Sequence, residues 1–117
     1  MNDGMDIYEE KRPWGSFRRF IHNIPSTVKI LTVNPKQELS LQSHNKRSEF
    51  WRVISGSGFF QINDSKKEIK KGDEQFISLG SKHRMSASDE GLEVLEIGFG
   101  DFDEEDVIRY EDKYGRI

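Results

Sequence analysis

The sequence LSLQSHNKRSEFWRVISGSG, residues 39–58, carries the pattern from which we predict the fold of this chain. It begins with alternating polar and apolar residues, continues into the largely apolar run FWRVI, and ends in two glycines separated by a serine. Alternation with period two is typical of a β-strand that buries one face. Between Leu41 and Trp51 the same stretch holds a glutamine, a histidine, an arginine and a glutamate. So many polar groups beside core residues indicate a site inside a β-structure.

Further strand patterns recur about every ten residues. Runs rich in β-branched or apolar residues lie at 26–34, 50–56, 58–63, 74–80 and 92–100. Ser57, between two glycines, predicts a hairpin or a tight corner between strands. In the last run, one face carries four alternate residues: Leu92, Val94, Glu96 and Gly98. Short strands at regular spacing predict an all-β sandwich or barrel.

The two ends of the chain differ from this pattern. Residues 1–11 read as a loose N-terminal arm, and residues 12–117 as a single domain. Asp103, followed by acidic residues, predicts the start of a short C-terminal helical turn, because carboxylates favour helix N-termini.

Composition excludes several classes of protein. The 117 residues include 18 Lys and Arg against 21 Asp and Glu, a near balance that argues against a nucleic-acid partner. Cysteine is absent, so disulfides and thiolate chemistry are excluded. The first twenty residues hold no apolar stretch that would indicate a signal peptide, and no run is long enough for a membrane span. We expect a cytoplasmic protein without a membrane partner.

The histidines predict where chemistry lies. His22 reads as an ordinary surface residue near a turn. Gln42 and His44 are two positions apart, so on a strand they share a face. Glu49 has enough chain to return on the neighbouring strand, and His83 follows a glycine turn at the start of another strand. If the sheet folds over, these last four side chains converge on one point.

Two imidazoles, a carboxylate and an amide oxygen suit one divalent metal ion and leave coordination positions open. Zinc is our first expectation, with manganese, cobalt, nickel or iron as alternatives. The competing interpretation is that Glu49 forms a surface salt bridge with Arg47 or Arg52, while His44 merely ends a strand. Spacing alone leaves the two interpretations open.

The same residues resemble the two motifs of the cupin family. Four residues fall on ligand or terminal glycine positions of the first motif, namely Gln42, His44, Glu49 and Gly56. Three fall on the second motif, namely Gly72, Gly80 and His83. Four positions depart from the motifs: Lys36 for glycine, Gln42 for histidine, Ser78 for proline and Ala87 for asparagine. The resemblance implies a cupin-type double-stranded β-helix, or jelly-roll barrel.

A narrower resemblance covers nearly the whole chain. The segments RPWGSF (12–17), residues 39–58, GSKHR (80–84) and IRYEDKYGR (108–116) are similar to the C-terminal domain of type II mannose-6-phosphate isomerases. In that family the domain is usually fused to a mannose-1-phosphate guanylyltransferase. We expect a stand-alone domain here, and we do not carry over nucleotidyl transfer because the chain has no glycine-rich nucleotide loop. Phe50 stands where the family often has histidine, which leaves catalysis open.

The resemblance implies interconversion of mannose 6-phosphate and fructose 6-phosphate through an enediol, in polysaccharide biosynthesis. The implied catalytic residues are Arg47, Arg116 and Lys82. The implied substrate-binding residues are Arg47, Arg84, Arg116 and Trp51. Lys46 is a further candidate cation, and the general base is open between Glu111, Asp112 and Lys82. The expected partners are a small sugar phosphate and a second copy of the chain, with Trp14 packing the arm against it.

Two other functions compete with the isomerase. One is a non-catalytic cupin that binds a sugar or sugar phosphate in the same pocket. The other is metal-dependent oxygen chemistry, which Gln42 disfavours because iron dioxygenases usually use more histidines.

Overall fold

A computed structural model describes residues 7–116, and every regular element within that range is a β-strand. The strands are β1 (Tyr8–Arg12), β2 (Gly15–Arg19), β3 (Ser26–Val33), β4 (Leu41–Ser43), β5 (Arg47–Ile62), β6 (Ser65–Lys70), β7 (Glu74–Ile77), β8 (His83–Gly100) and β9 (Ile108–Glu111). Between residues 7 and 116, no helix is long and apolar enough to cross a membrane. The all-β prediction is confirmed.

Seven of the strands form one antiparallel sheet that closes into the barrel. Its order is β6-β5-β8-β4-β9, with β3 also paired to β8 and β7 also paired to β5. The long strands β5 and β8 pair with each other along most of their length, so each contributes to both halves of the barrel. This is the jelly-roll architecture that the sequence predicts.

The predicted hairpin at Ser57 is wrong, and the structure has a bent continuous strand there. Residues on both sides of Ser57 pair with β8, from Arg47 opposite Gly100 to Ile62 opposite His83. The register shifts twice near the bend, between residues 53 and 55 and between residues 56 and 58. Bulges of this kind bend a strand without reversing its direction. The predicted corner is therefore present, and the predicted hairpin turn is not.

Strand alternation separates two apolar clusters. The inner cluster fills the barrel and consists of Val33, Trp51, Val53, Phe60, Ile69, Ile77, Met85, Leu92 and Val94. The outer cluster, Phe50, Ile97 and Phe99, lies on the opposite face of the same sheet, where Phe20 packs on Phe50 with ring centroids 5.1 Å apart. Neighbouring residues of β5 therefore point to opposite sides.

The predicted C-terminal helical turn is also wrong. The Asp103 carboxylate accepts a hydrogen bond from the Glu105 N–H at 2.9 Å, and its carbonyl accepts one from the Asp106 N–H at 3.0 Å. These bonds close a single turn, after which the chain extends as β9 and pairs with β4. Hydrogen bonding to β4 supplies the partners that a second helical turn would have supplied.

The N-terminal strands form a separate two-stranded hairpin with Trp14, 74% exposed, at its tip. Arg18 at its base pairs with Glu74 of the barrel at 2.7 Å. Within the predicted arm, Tyr8–Lys11 thus belongs to a strand, while residues 1–6 lie outside the described residues. The boundary between arm and domain stays a prediction.

Substitution of Gly56 by alanine tests the bend in β5. A Cβ at Gly56 would overlap the carbonyl oxygen of Gly91 across the ladder, and φ is +81°. We expect Gly56→Ala to lower the free energy of unfolding by more than about 3 kcal/mol in urea titrations. Gly72→Ala is the matched control, because φ is +92° but no atom lies within 4 Å of the added Cβ. A loss of about 1 to 2 kcal/mol is expected there, and equal losses in both variants would contradict the steric argument.

Candidate metal centre

Three buried side chains bring their ligand atoms together inside the barrel. The ligand atoms of His44, Glu49 and His83 all lie within 4.8 Å of one another. His44 Nε2 is 3.6 Å from Glu49 Oε2, and His83 Nε2 is 3.4 Å from Glu49 Oε1. The convergence expected from the sequence is confirmed for these three residues.

The antiparallel ladders position each of these side chains. His44 follows directly on β4, Glu49 lies on β5, and His83 begins β8. Gln42 pairs in register with His83 across the β4–β8 ladder and lines the same cavity. Its role as a fourth ligand stays a prediction.

Backbone carbonyls fix the tautomers of both imidazoles. His44 Nδ1 donates to the carbonyl of Asp106 at 2.6 Å, and His83 Nδ1 donates to the carbonyl of Ser81 at 2.9 Å. A carbonyl oxygen only accepts, so the proton of each neutral ring is on Nδ1 and the lone pair is on Nε2. Both lone pairs therefore face Glu49.

Burial also keeps the two rings neutral. It lowers the pKa of both His44 and His83 below the ordinary 6.5, and this effect outweighs the attraction of Glu49. Neutral imidazole is the form that binds a metal.

The residues fit a divalent cation. Glu49 is 2% exposed, and its Oε1 has no hydrogen-bond partner within the described part of the chain. A buried carboxylate oxygen without a donor is costly, and a cation between it and two imidazole lone pairs would remove that cost. Two nitrogens and a carboxylate suit zinc, manganese, iron, cobalt or nickel.

A cavity of about 300 Å³ opens beside these donors. Its described lining consists of Lys29, Leu31, Leu39, Gln42, His44, Arg47, Glu49, Trp51, His83, Glu96, Glu104, Arg109 and Arg116. Four of these residues carry a positive charge and three are glutamates, so the pairing of the cations decides which of them can meet an anionic ligand.

The four cations differ in how far they are already paired. Arg47 donates through Nε to Glu49 Oε2 at 3.0 Å, so the predicted alternative of a Glu49 salt bridge exists, but in the interior. The Lys29 ammonium pairs with Glu104 at 2.8 Å. Arg116 pairs with Asp112 at 2.8 and 2.9 Å. Arg109 makes no ion pair with any described residue, and its buried Nε has no hydrogen-bond partner among them.

Several residues expected at the site lie elsewhere. Lys82 is exposed, with its ammonium 4.3 Å from the centre of the Tyr110 ring, and Arg84 pairs with Glu111 at 2.9 Å. Neither belongs to the described lining of the cavity, nor do the candidate bases Glu111 and Asp112. Local pairing holds each of these side chains outside the described lining, and their roles at the site stay predictions. Lys46 is exposed and also outside the lining.

The two neighbouring aromatic residues of β5, Phe50 and Trp51, point to opposite faces of the sheet. Trp51 is buried and lines the cavity, and its role in substrate binding stays a prediction. Phe50 points to the outer cluster, so the side chain at this position faces away from the candidate metal ligands. The Phe50 substitution therefore does not remove a group from the cavity. His22 is exposed, as expected.

Glu96 also lines the cavity, although it was not among the site residues predicted from the sequence. It is buried and accepts a hydrogen bond from Trp51 Nε1 at 3.1 Å. Burial, with a further contribution from the Glu49 charge, raises the pKa of Glu96 to about 7. The signal was present, because Glu96 shares an inward strand face with Leu92 and Val94. Lys29 alternates inward between exposed Val28 and Ile30 in the same way.

The fold and site together define a cupin. A cupin protein from Bacteroides fragilis superposes with a TM-score of 0.60 at 26% sequence identity, covering 64% of this chain and 65% of that one. Oxalate decarboxylase from Bacillus subtilis superposes with a TM-score of 0.68 at 24% identity, covering 74% of this chain and 24% of that one. The second likeness is one of fold.

The chain belongs to the mannose-6-phosphate isomerase C-terminal family, whose model matches residues 3–112. Mannose-1-phosphate guanylyltransferase ManC of Salmonella typhimurium is 34% identical over 111 residues, which are 93% of this chain. Alginate biosynthesis protein AlgA of Pseudomonas aeruginosa is 36% identical over 110 residues, which are 92% of this chain. The chain spans 23% of the length of each of these relatives.

Replacement of Glu96 by glutamine tests its environment. Because the pKa of Glu96 rises from 4.5 to about 7, the native protein holds a proton between those values that the unfolded chain has lost. The stability that this proton provides is complete below pH 4.5 and is lost as the pH rises through about 7. In EDTA, Glu96→Gln should exceed the wild type by up to about 3 kcal/mol above pH 7, and by little near pH 4.5.

Urea titrations across this pH range measure the effect. Glu93→Gln, on the outward side of the same strand, is the matched control and should follow the wild-type profile. If the pH profile of Glu96→Gln ran parallel to that of the wild type, the raised pKa assigned to Glu96 would be wrong.

Proposed function

We propose that this domain is a metal-dependent isomerase that interconverts mannose 6-phosphate and fructose 6-phosphate through an enediol. One observation carries the proposal: the candidate metal ligands, the buried carboxyl of Glu96 and Arg109, which makes no ion pair with any described residue, line one cavity. Membership of the mannose-6-phosphate isomerase C-terminal family supports it. Each of these three parts would serve the isomerisation of a phosphorylated sugar.

The metal would be held by His44, Glu49 and His83, with Gln42 as the fourth ligand. When bound, it would stabilise the negative charge that develops on the sugar oxygens of the enediol. The barrel wall contributes the buried surroundings, which strengthen that interaction.

Glu96 is the proposed proton-transfer group. The reaction moves a proton between two adjacent carbons, so the same residue must accept it and return it. A carboxyl with a pKa of about 7 is suited to both steps at neutral pH. The hydrogen bond from Trp51 holds its Oε2 at a fixed position on the cavity wall. Glu96 therefore replaces Lys82, Glu111 and Asp112 as the candidate.

Arg109 is the proposed primary contact for the substrate phosphate. It lies opposite Gln42 in the β4–β9 ladder, which places both side chains on the inward face. A guanidinium binds phosphate with two parallel hydrogen bonds, and Arg109 has no competing carboxylate among the described residues. Arg116 and Lys29 lie on the same lining and would add charge after exchanging their carboxylate partners.

The alternative function is binding of a sugar phosphate without catalysis. It would use the same cavity and the same cations. The Phe50 substitution gives it no support, because residue 50 faces the outer cluster.

A coupled assay for fructose 6-phosphate formation tests the isomerase. We expect turnover with added divalent metal and none with EDTA. Glu96→Gln should lower kcat about 100-fold or more with KM nearly unchanged. Arg109→Met should raise KM about tenfold or more, because a charge-assisted contact to the phosphate is lost. Arg84→Met, outside the cavity lining, is the matched control for loss of an arginine.

The assay separates the two functions when it is combined with calorimetry. If the metal-loaded protein binds mannose 6-phosphate in the calorimeter but produces no fructose 6-phosphate, the binding function is correct and the isomerase is wrong. If Glu96→Gln retains the wild-type kcat, the proposed isomerase activity is unaffected but the proton-transfer role of Glu96 is wrong.

The expected homodimer remains a proposal, and two surfaces support it. In the described chain β3 pairs with β8 along one edge only, and its outward side chains Val28 and Ile30 are 57% and 60% exposed. The hairpin β1–β2 carries exposed Trp14 beyond the barrel. A long apolar edge strand and a lone hairpin are both poorly stable in water, and a second copy could cover both.

Light scattering after gel filtration tests the dimer. The wild type should have twice the 13.7 kDa mass of one chain. Ile30→Lys should shift it toward the monomer by placing a charge in the interface. Leu79→Lys changes an exposed apolar residue away from β3 and serves as the control. A monomeric wild type, or equal masses for both variants, would contradict the assignment of this surface.

A further inference from the structure

Arg47 places its guanidinium directly on the candidate metal ligands. Its Nε donates to Glu49 Oε2 at 3.0 Å, and its NH2 group donates to His44 Nε2 at 3.2 Å. The side chain is only 7% exposed. One buried cation is therefore hydrogen-bonded to two of the three residues that would hold the metal.

The contact with His44 excludes coordination of a metal by the same nitrogen. The Nδ1–H of His44 is committed to the carbonyl of Asp106, so Nε2 has the single lone pair that the ring can offer. That lone pair either accepts from Arg47 or binds a metal. The positive charge of Arg47, which lies within hydrogen-bond distance of two candidate ligands, would also repel a divalent ion bound to them. Both effects act in the same direction and weaken metal binding.

We propose that Arg47 is a built-in competitor of the metal, which keeps Glu49 paired and lowers the affinity of the site for divalent ions. This inference rests on the metal centre in the proposed function, and it adds a residue that controls loading. A buried carboxylate without a cation is strongly destabilising. Arg47 supplies that cation, so the barrel can fold without metal and the metal stays exchangeable.

The surroundings allow Arg47 to release the ligands without leaving the cavity. Its NH1 group donates to the carbonyl of Asp103 at 3.2 Å, and its Cζ lies 3.9 Å from the centre of the Phe102 ring. The stem passes Gly98, where an added Cβ would lie 3.6 Å from Arg47 Cδ and 3.1 Å from a carbon of Phe102. None of these contacts uses a metal ligand. They can hold the guanidinium beside the metal after it has released His44 and Glu49.

Titration of Mn²⁺ into protein stripped of metal tests the competition. We expect Arg47→Met to bind Mn²⁺ about tenfold more tightly than the wild type, or more, because two charge-assisted hydrogen bonds no longer oppose binding. Arg52→Met is the matched control: it removes an arginine of the same strand, β5, that pairs with Glu74 and lies outside the described lining of the cavity. Its Mn²⁺ affinity should stay within about twofold of the wild type.

Unfolding in urea provides a second readout. Without metal, Arg47→Met should be less stable than the wild type, since Glu49 loses its partner, and Mn²⁺ should stabilise the variant more than it stabilises the wild type. Arg47→Lys keeps the charge in case the methionine variant fails to fold. Its single ammonium replaces the bidentate contact only in part, so its affinity for Mn²⁺ should lie above that of the wild type.

The outcomes separate this inference from the proposed function. If the wild type binds Mn²⁺ but Arg47→Met and Arg47→Lys bind it no more tightly, the competition is wrong and the metal centre stands. If the wild type binds neither Mn²⁺ nor Zn²⁺, the metal centre fails and the competition fails with it.

Discussion

The burial of Glu49 is the constraint on which the rest of the site depends. A carboxylate that is 2% exposed must be surrounded by positive or hydrogen-bonding groups, or the interior will not tolerate it. The structure meets one oxygen with Arg47 and turns two imidazole nitrogens toward the residue. The second oxygen has no hydrogen-bond partner among the described residues, which creates a demand for a cation beside it. A barrel core of ordinary apolar residues would not create this demand, and the remaining features of the cavity are arranged around it.

The bent strands explain how residues far apart in sequence meet at that point. Because β5 and β8 pair across both halves of the barrel, one ladder brings Glu49 opposite Gly98 and Trp51 opposite Glu96. The pleat then decides the chemistry, since Glu49 and Trp51 point inward while Phe50 points outward. A shift of register by one residue would exchange these faces and destroy the site. The bulges at the glycine-rich bend help to set this register, so the site depends on them as well as the bend itself.

Period-two patterns predicted much of this arrangement, and non-local pairing explains what they missed. Alternation correctly placed Gln42 beside His44 and put Glu96 on the inward face of its strand. Lys36, which stands in place of a motif glycine, adopts φ of +64°, so the turn keeps its left-handed backbone with a different residue. The segment after Asp103 was misassigned because a capping carboxylate serves a single turn and a helix equally well, and pairing with β4 decides between them. Whether an arginine such as Arg84 or Arg109 forms an ion pair with a carboxylate likewise depends on spatial neighbours that sequence spacing does not specify.

The charges in the cavity link the proposed metal to the proposed anion site. Three carboxylates line the cavity, and two of them, Glu49 and Glu104, pair with its cations Arg47 and Lys29. Of the four cations in the described lining, only Arg109 has no carboxylate partner among the described residues, so the cavity on its own offers a phosphate little net positive charge. A divalent ion on Glu49 would change this balance, because it would neutralise the carboxylate and free Arg47 to face the cavity beside Phe102. On this view the metal does more than stabilise the enediol: its binding would also complete the surroundings that hold the phosphate.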